Sequence, residues 1–296
     1  MTHALSDENR ARLAGKTVVA SVSGGKDSAA MSLWLTEQGV EHRRVFADTG
    51  WEHEDTYTYL RGPLTLQLGP IEEVRAKQNF EEMARSKAMM PSRIKRWCTR
   101  GLKVEPLFAY MNALAEAGHD LVNAIGIRAA ESQARGKLPE WEETEGLDGE
   151  VWRPLLAWTE EEVIALHKRH GLPPNPLYLR GAKRVGCWPC IFASKDEIRL
   201  VAETDPARID RIRALEAEIT QGRDERRARQ GLEPLQSAGF FQSMRPDATG
   251  RYPTLPIDKV VAWSKTTRGG KQLALFGPPA DDGCMRWGMC ETEASQ

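Results

Sequence analysis

The chain has 296 residues, with 41 Lys and Arg against 42 Asp and Glu and a formal charge of −1. A chain of this length buries about three quarters of its unfolded surface, enough for one large domain with an appendage or for two domains. The even charge excludes a bulk field that gathers nucleic acid, and the polar, mixed-charge start MTHALSDENRARLAGK is neither a secretory signal nor a membrane span.

Residues 1–15 read as a short polar helix. The β-branched run at 18–22 predicts a buried strand that enters a Gly-Gly turn. Residues 27–38 then carry a helix with an acidic first turn, stopped at Gly39. A second strand is expected at 44–47, ending at Asp48-Thr49-Gly50, a third short strand at 64–68 and a helix at 80–86. Residues 92–103 hold Arg93, Lys95, Arg96, Arg100 and Lys103 around Cys98, with no acidic residue. A helix over 104–117 precedes a buried strand at 121–125, which leads to Gly126, Arg128, Glu131, Ser132 and Arg135. Residues 136–150 read as an acidic loop. Thr159 with Glu162 predicts a capping box and a helix running to His170. Pro173, Pro174 and Pro176 predict an extended segment up to Gly186-Cys187-Trp188-Pro189-Cys190. Asp205-Pro206 opens a helix with Ile209, Ile212, Leu215 and Ile219 on one face, and Arg223, Arg226, Arg227 and Arg229 read as its solvated end. Residues 230–280 are loop-rich, and the tail carries Cys284 and Cys290.

The stretch that carries chemistry is Ser23-Gly24-Gly25-Lys26-Asp27-Ser28, between the first strand and its helix. Unpaired N–H groups at a helix N-terminus, with roughly half a unit of positive charge, suit an anion. The glycines let backbone approach a phosphate and Lys26 adds a full charge, while Asp27 and Ser28 suit the Mg²⁺ that accompanies polyphosphates. The spacing of a Walker loop is absent. Ligands of open α/β sheets bind at the carboxyl ends of the strands, so Asp48, Thr49, Gly50, Gly126, Glu131 and Ser132 fall on the same rim.

Five cysteines in a chain with no export signal are expected to stay reduced in the cytoplasm. Cys98, Cys187 and Cys190 suit an iron–sulfur cluster or structural zinc. The alternative is that Cys98 is a small buried hydrophobe and Cys187 with Cys190 a redox pair. Cys290, beside the Gly288 turn, is the favoured fourth ligand over Cys284. Trp51, Trp97 and Trp158 read as core.

These motifs together resemble the phosphoadenosine phosphosulfate (PAPS) reductase family of the PP-loop ATP pyrophosphatase superfamily, over about residues 17 to 200. The matching stretches are SGGKDS at 23–28, DTG at 48–50, Cys98 with KVEPL at 103–107, GIRAAESQAR at 126–135, RPLLAWTEEEV at 153–163, NPLY at 175–178 and RVGCWPC at 184–190. The resemblance implies an α/β fold, an open, mostly parallel sheet with helices on both faces. It divides the chain into a nucleotide-binding domain at 1–185 and a cysteine-bearing, helical and loop-rich region at 186–296. It implies an adenine nucleotide, ATP or PAPS or adenylylsulfate, on the rim with Mg²⁺. Lys26, Asp27, Arg128 and Arg135 are then the catalytic candidates, and a [4Fe–4S] cluster sits on Cys98, Cys187, Cys190 and Cys290.

Two departures set this chain apart. Thr99 stands where cluster-bearing adenylylsulfate reductases have a second cysteine, and the reductases' Glu-Cys-Gly-Leu/Ile-His tail is missing. The expectation is therefore adenylation-activated sulfur transfer or nucleic-acid modification, as in the similar DNA phosphorothioation enzymes. The partners implied are a nucleic-acid acceptor and a cysteine desulfurase or other sulfur donor. The alternatives are a sulfite-releasing reductase and a non-catalytic nucleotide-binding sensor with a cluster.

Overall fold

The structure is a computed structural model that describes residues 3–243, 245–250, 252–266 and Trp287. In chain order the elements are α1 (Asp7–Leu13), β1 (Thr17–Ser21), α2 (Lys26–Glu37), β2 (His42–Asp48), α3 (Glu54–Tyr59), α4 (Thr65–Leu68), β3 (Glu72–Arg75), α5 (Phe80–Lys87), α6 (Trp97–Thr99), α7 (Glu105–Glu116) and β4 (Leu121–Ile125). They continue with β5 (Trp141–Glu143), β6 (Glu150–Trp152), α8 (Glu160–Arg169), α9 (Pro176–Leu179), α10 (Lys195–Thr204), α11 (Pro206–Arg229), β7 (Phe241–Gln242), β8 (Thr254–Leu255) and α12 (Ile257–Ser264).

Six strands form one sheet in the order β3-β2-β1-β4-β6-β5, parallel except for the β5–β6 pair. Successive side chains of a strand point to opposite faces, and both faces here are covered. Val18, Ala20 and Val22 join α2 and α8 residues such as Met31, Leu35 and Val163 in one core. Val19 faces the other way, onto Met111 of α7 with Val45 and Leu121. Strands buried on both sides read as continuous apolar runs, which is why β1 and β4 are legible in the sequence.

A third core lies beyond the carboxyl ends of the strands. Trp51 stacks on Phe80 with ring centres 4.4 Å apart, and both pack with Leu102, Ile191, Ile209, Ile212, Leu215 and Phe240. This cluster crosses the expected boundary at 185. Trp51 and Trp158 are buried, as expected of core residues.

Three local expectations are corrected. Residues 64–68 are helical: Leu60, Leu64 and Leu68 are buried at a spacing of four, whereas Leu66 is 87% exposed. The third strand lies instead at Glu72–Arg75. Residues 172–175 carry no helix, but Pro176 interrupts the expected extended segment by opening the short helix α9, capped by Asn175, and the acidic stretch at 136–150 contains β5 and opens β6.

No helix among the described residues is long and apolar enough to cross a membrane.

Candidate active site

β1 ends at Ser21, and Gly24 turns the chain with a φ of +72°, in the left-handed region that favours glycine. Gly25 is the N-cap of α2 and supplies no side-chain acceptor to the first-turn N–H groups. The loop is therefore built as an anion cradle rather than a self-capped helix start. Gly126, at the end of β4, passes close beneath it: a Cβ there would lie 2.7 Å from the Asp27 carbonyl oxygen and from Ser28 Cα. Only glycine lets β4 approach α2 so closely.

Lys26 is 6% exposed and its ammonium lies 3.1 Å from Glu160 and 3.7 Å from Asp27. Burial alone would depress it, and Tyr178, Asp27 and Glu160 outweigh that effect and hold its pKa above the ordinary lysine value. Asp27 in turn pairs with Arg128, which is also buried. A chain of alternating charge thus runs Glu160–Lys26–Asp27–Arg128. Ser28 Oγ donates to the Gly25 carbonyl (3.1 Å) and accepts from the Ser23 N–H (3.1 Å). Both expected Mg²⁺ ligands, Asp27 and Ser28, therefore have protein partners.

A cleft of about 660 Å³ opens here at the carboxyl ends of the strands. Ser23, Gly25, Lys26, Asp27, Ser28, Gly126, Glu131 and Arg135 line it, and so do Lys103, Arg184, Cys187 and Cys190. Arg135 pairs with Glu131, whose carboxylate also accepts the Arg128 N–H (2.9 Å). Ser132 lies on the exposed side of this turn, its Oγ accepting the Arg135 N–H (3.2 Å).

Asp48, Thr49 and Gly50 follow at the carboxyl end of β2, on the same rim. Asp48 and Gly50 line a smaller neighbouring cleft of about 370 Å³. Asp48 accepts the Gly50 N–H (2.8 Å) and the Tyr57 hydroxyl (2.7 Å) and pairs with Arg75 (2.6 Å). Thr49 is buried and donates its hydroxyl to Glu52 at 2.8 Å. Glu52 borders both clefts, and its Oε1 lies 4.0 Å from the Cys187 sulfur.

Cys98, Cys187 and Cys190 are free, half-buried thiols packed against the third core. Burial pushes the Cys187 thiol up to about 11, with Lys103 acting in the opposite direction. Cys98 is raised, chiefly by burial and further by Cys190. Three thiols within electrostatic reach of one another and of an ammonium are a donor set that fits a thiolate-held, anionic iron–sulfur cluster. Among the described residues no group of three or more His, Cys, Asp or Glu is arranged to hold a single metal ion. Cys284 and Cys290 lie outside the described residues.

Glu160, Tyr178, His167 and Glu52 were not singled out from sequence as site residues. Glu160 stands inside the TEEEV stretch and Tyr178 inside NPLY, so both lay in matched motifs. His167 had only its buried helix face as a signal.

The phosphoadenosine phosphosulfate reductase domain family matches residues 17–193. The chain is 33% identical to a 37.8 kDa protein of Escherichia phage 186, over 89% of this chain and 92% of that one. It is similar to the adenosine 5'-phosphosulfate reductase of Allochromatium vinosum, 40% identical over 98 residues, which span 32% of this chain and 35% of that enzyme. Among solved structures, the PAPS reductase of Candida auris in its phosphate complex is 21% identical with a TM-score of 0.45, covering 64% of this chain and 99% of that one.

Proposed function

The chain belongs to the phosphoadenosine phosphosulfate reductase family, and from that premise we propose that it binds ATP and uses it to activate an acceptor for sulfur transfer. The observation that carries this reading is the shared cleft, in which Ser23, Gly25, Lys26 and Asp27 line the same cavity as Cys187 and Cys190.

The phosphates lie along the Gly24-Gly25 turn. Lys26 and the first-turn N–H groups of α2 balance the charge of the leaving pyrophosphate. An acceptor oxygen attacks the α-phosphorus, the bond to the bridging oxygen breaks, and pyrophosphate departs. Sulfur at the oxidation level of sulfide then displaces AMP, which carries the acceptor's oxygen away, so no electrons are gained or lost. Asp27 and Ser28 would hold Mg²⁺, for which Asp27 exchanges its Arg128 partner. That exchange frees the Arg128 guanidinium, with Arg135, to face the transferred group. Cys98, Cys187 and Cys190, with Cys290 or Cys284, would hold a [4Fe–4S] cluster, which when bound supplies a redox-active centre carrying sulfide. A cysteine desulfurase is a fitting sulfur donor when a thiol reductant supplies the two electrons that release its persulfide sulfur as sulfide, and a nucleic acid is a fitting acceptor.

Reduction of a sulfonucleotide is the second reading, favoured by the likeness to the Allochromatium vinosum adenosine 5'-phosphosulfate reductase. Thr99, standing where the cluster-bearing adenylylsulfate reductases have a second cysteine, weighs against it. Anaerobically purified protein given labelled ATP, a sulfur donor and nucleic acid is expected to release AMP and pyrophosphate and to label the acceptor with sulfur. Thiol-dependent sulfite release from PAPS or adenylylsulfate without ATP cleavage overturns transfer in favour of reduction. Nucleotide binding with neither turnover leaves a sensor.

A further inference from the structure

Trp287 comes from the far end of the chain, yet it is 4% exposed. It packs with Ile164 and Tyr178, and Val185 lies against the same group. Its ring stands edge-on to His167, with centres 5.2 Å apart, and tilts against Tyr178 at 5.9 Å.

Those two side chains hold the backbone of Lys26 from both sides. The Lys26 N–H donates to the Tyr178 hydroxyl at 3.1 Å, and His167 Nε2 lies 2.8 Å from the Lys26 carbonyl oxygen. A carbonyl only accepts, so Nε2 carries the proton, and burial lowers the His167 pKa and keeps the ring neutral. The Lys26 ammonium also lies 5.0 Å from the centre of the Tyr178 ring. One indole therefore backs both residues that fix the peptide groups of the phosphate loop's lysine.

We infer that Trp287, seated behind the phosphate loop, is a positioning residue for nucleotide binding. The occupant of the seat formed by Ile164, His167 and Tyr178 is this chain's own Trp287. The indole packs against both rings, and so supports the bonds that hold the Lys26 N–H and carbonyl in place. Anything that binds the loop in this arrangement favours the seated indole, and by linkage the seated indole favours that ligand. The inference rests on the reading that adenine nucleotide occupies the loop.

The test compares full-length wild type, Trp287→Ala, Trp287→Phe, Tyr178→Phe and the Trp287→Ala/Tyr178→Phe double variant for equilibrium binding of α,β-methylene ATP. The thermal midpoint without nucleotide is measured beside it as a check on folding. Trp287→Ala is expected to raise the Kd roughly threefold to tenfold, the range given by loss of an aromatic pair. Trp287→Phe recovers most of the affinity even if the alanine variant folds poorly. In the double variant the two losses amount to less than their product, because part of the Trp287 effect passes through the Tyr178–Lys26 hydrogen bond that Tyr178→Phe removes. Wild-type affinity in Trp287→Ala, or losses that multiply independently, overturns the positioning role of Trp287 alone. A wild type that binds no adenine nucleotide overturns the functional reading, and the inference falls with it.

Discussion

Lys26 does not meet the cleft as a lone cation, because Glu160 and Asp27 flank it and Asp27 is shared with Arg128. A phosphate that arrives competes with two carboxylates, and the alternating charges give the loop a defined resting state. The glycines and the lysine of this arrangement could be read from sequence, since a strand, a Gly-Gly turn and an acidic helix start are local signals, whereas the role of Arg128 came only from the resemblance. Glu160 could not, because its partner lies 134 positions earlier in the chain and nothing local records an ion pair at that distance. Another carboxylate has a different consequence. Glu216 on α11 is buried and accepts the N–H groups of Phe240 (2.6 Å) and Ile257 (3.1 Å). Burial pushes its pKa up to about 7, against the lowering effect of those two bonds. The folded protein keeps this proton where the unfolded chain has lost it. Stability from this group is therefore fully present below the ordinary glutamate value and is lost as the pH rises toward 7, by up to about 1.4 kcal/mol per pH unit. Glu216→Gln keeps an acceptor for both N–H groups and is expected to flatten the stability profile between about pH 4.5 and 7. Denaturant titrations across that range check this, and an unchanged slope counts against it.

The helix α8 shows how a local signal can place a remote contact. Thr159 Oγ1 accepts the Glu162 N–H (3.2 Å) and Glu162 Oε2 accepts the Thr159 N–H (2.8 Å), the capping box expected from the sequence. The same first turn carries Glu160 to Lys26. Thr159→Ala is expected to cost about 1 kcal/mol of stability and to weaken nucleotide binding by loosening Glu160. A stability loss with unchanged binding would separate the cap from the site. Strands were read less well than helices, for physical reasons. In residues 64–68 the alternation of leucines imitates a strand, but the buried set repeats every four residues and Leu66 faces solvent. The real β3, Glu-Glu-Val-Arg, has no fully buried residue. An edge strand needs no apolar face, and charged side chains there discourage pairing with another molecule.

Across the whole molecule, the sheet brings the phosphate loop, the Gly126 turn and the Arg128–Arg135 segment to one rim, and the third core sets the Cys187–Cys190 loop against it. The Trp188 N–H donates to the Trp51 carbonyl at 2.9 Å, and Glu52 bridges to Cys187. The loop after β2 is thereby stitched to the cysteine loop, and Asp48 and Gly50 border the second cleft. Sequence spacing carries no record of that stitch. The convergence of Cys98 on the later pair was legible only through family motifs, because 89 positions separate Cys98 from Cys187. The central claim is that one cleft joins nucleotide and thiols. Amide hydrogen exchange with and without α,β-methylene ATP tests it most directly. The account predicts slowed exchange both in peptides covering 22–29 and in peptides covering 184–191, with both effects lost in Lys26→Ala. Protection confined to peptides around 48–57, or equal protection in Lys26→Ala, would contradict it.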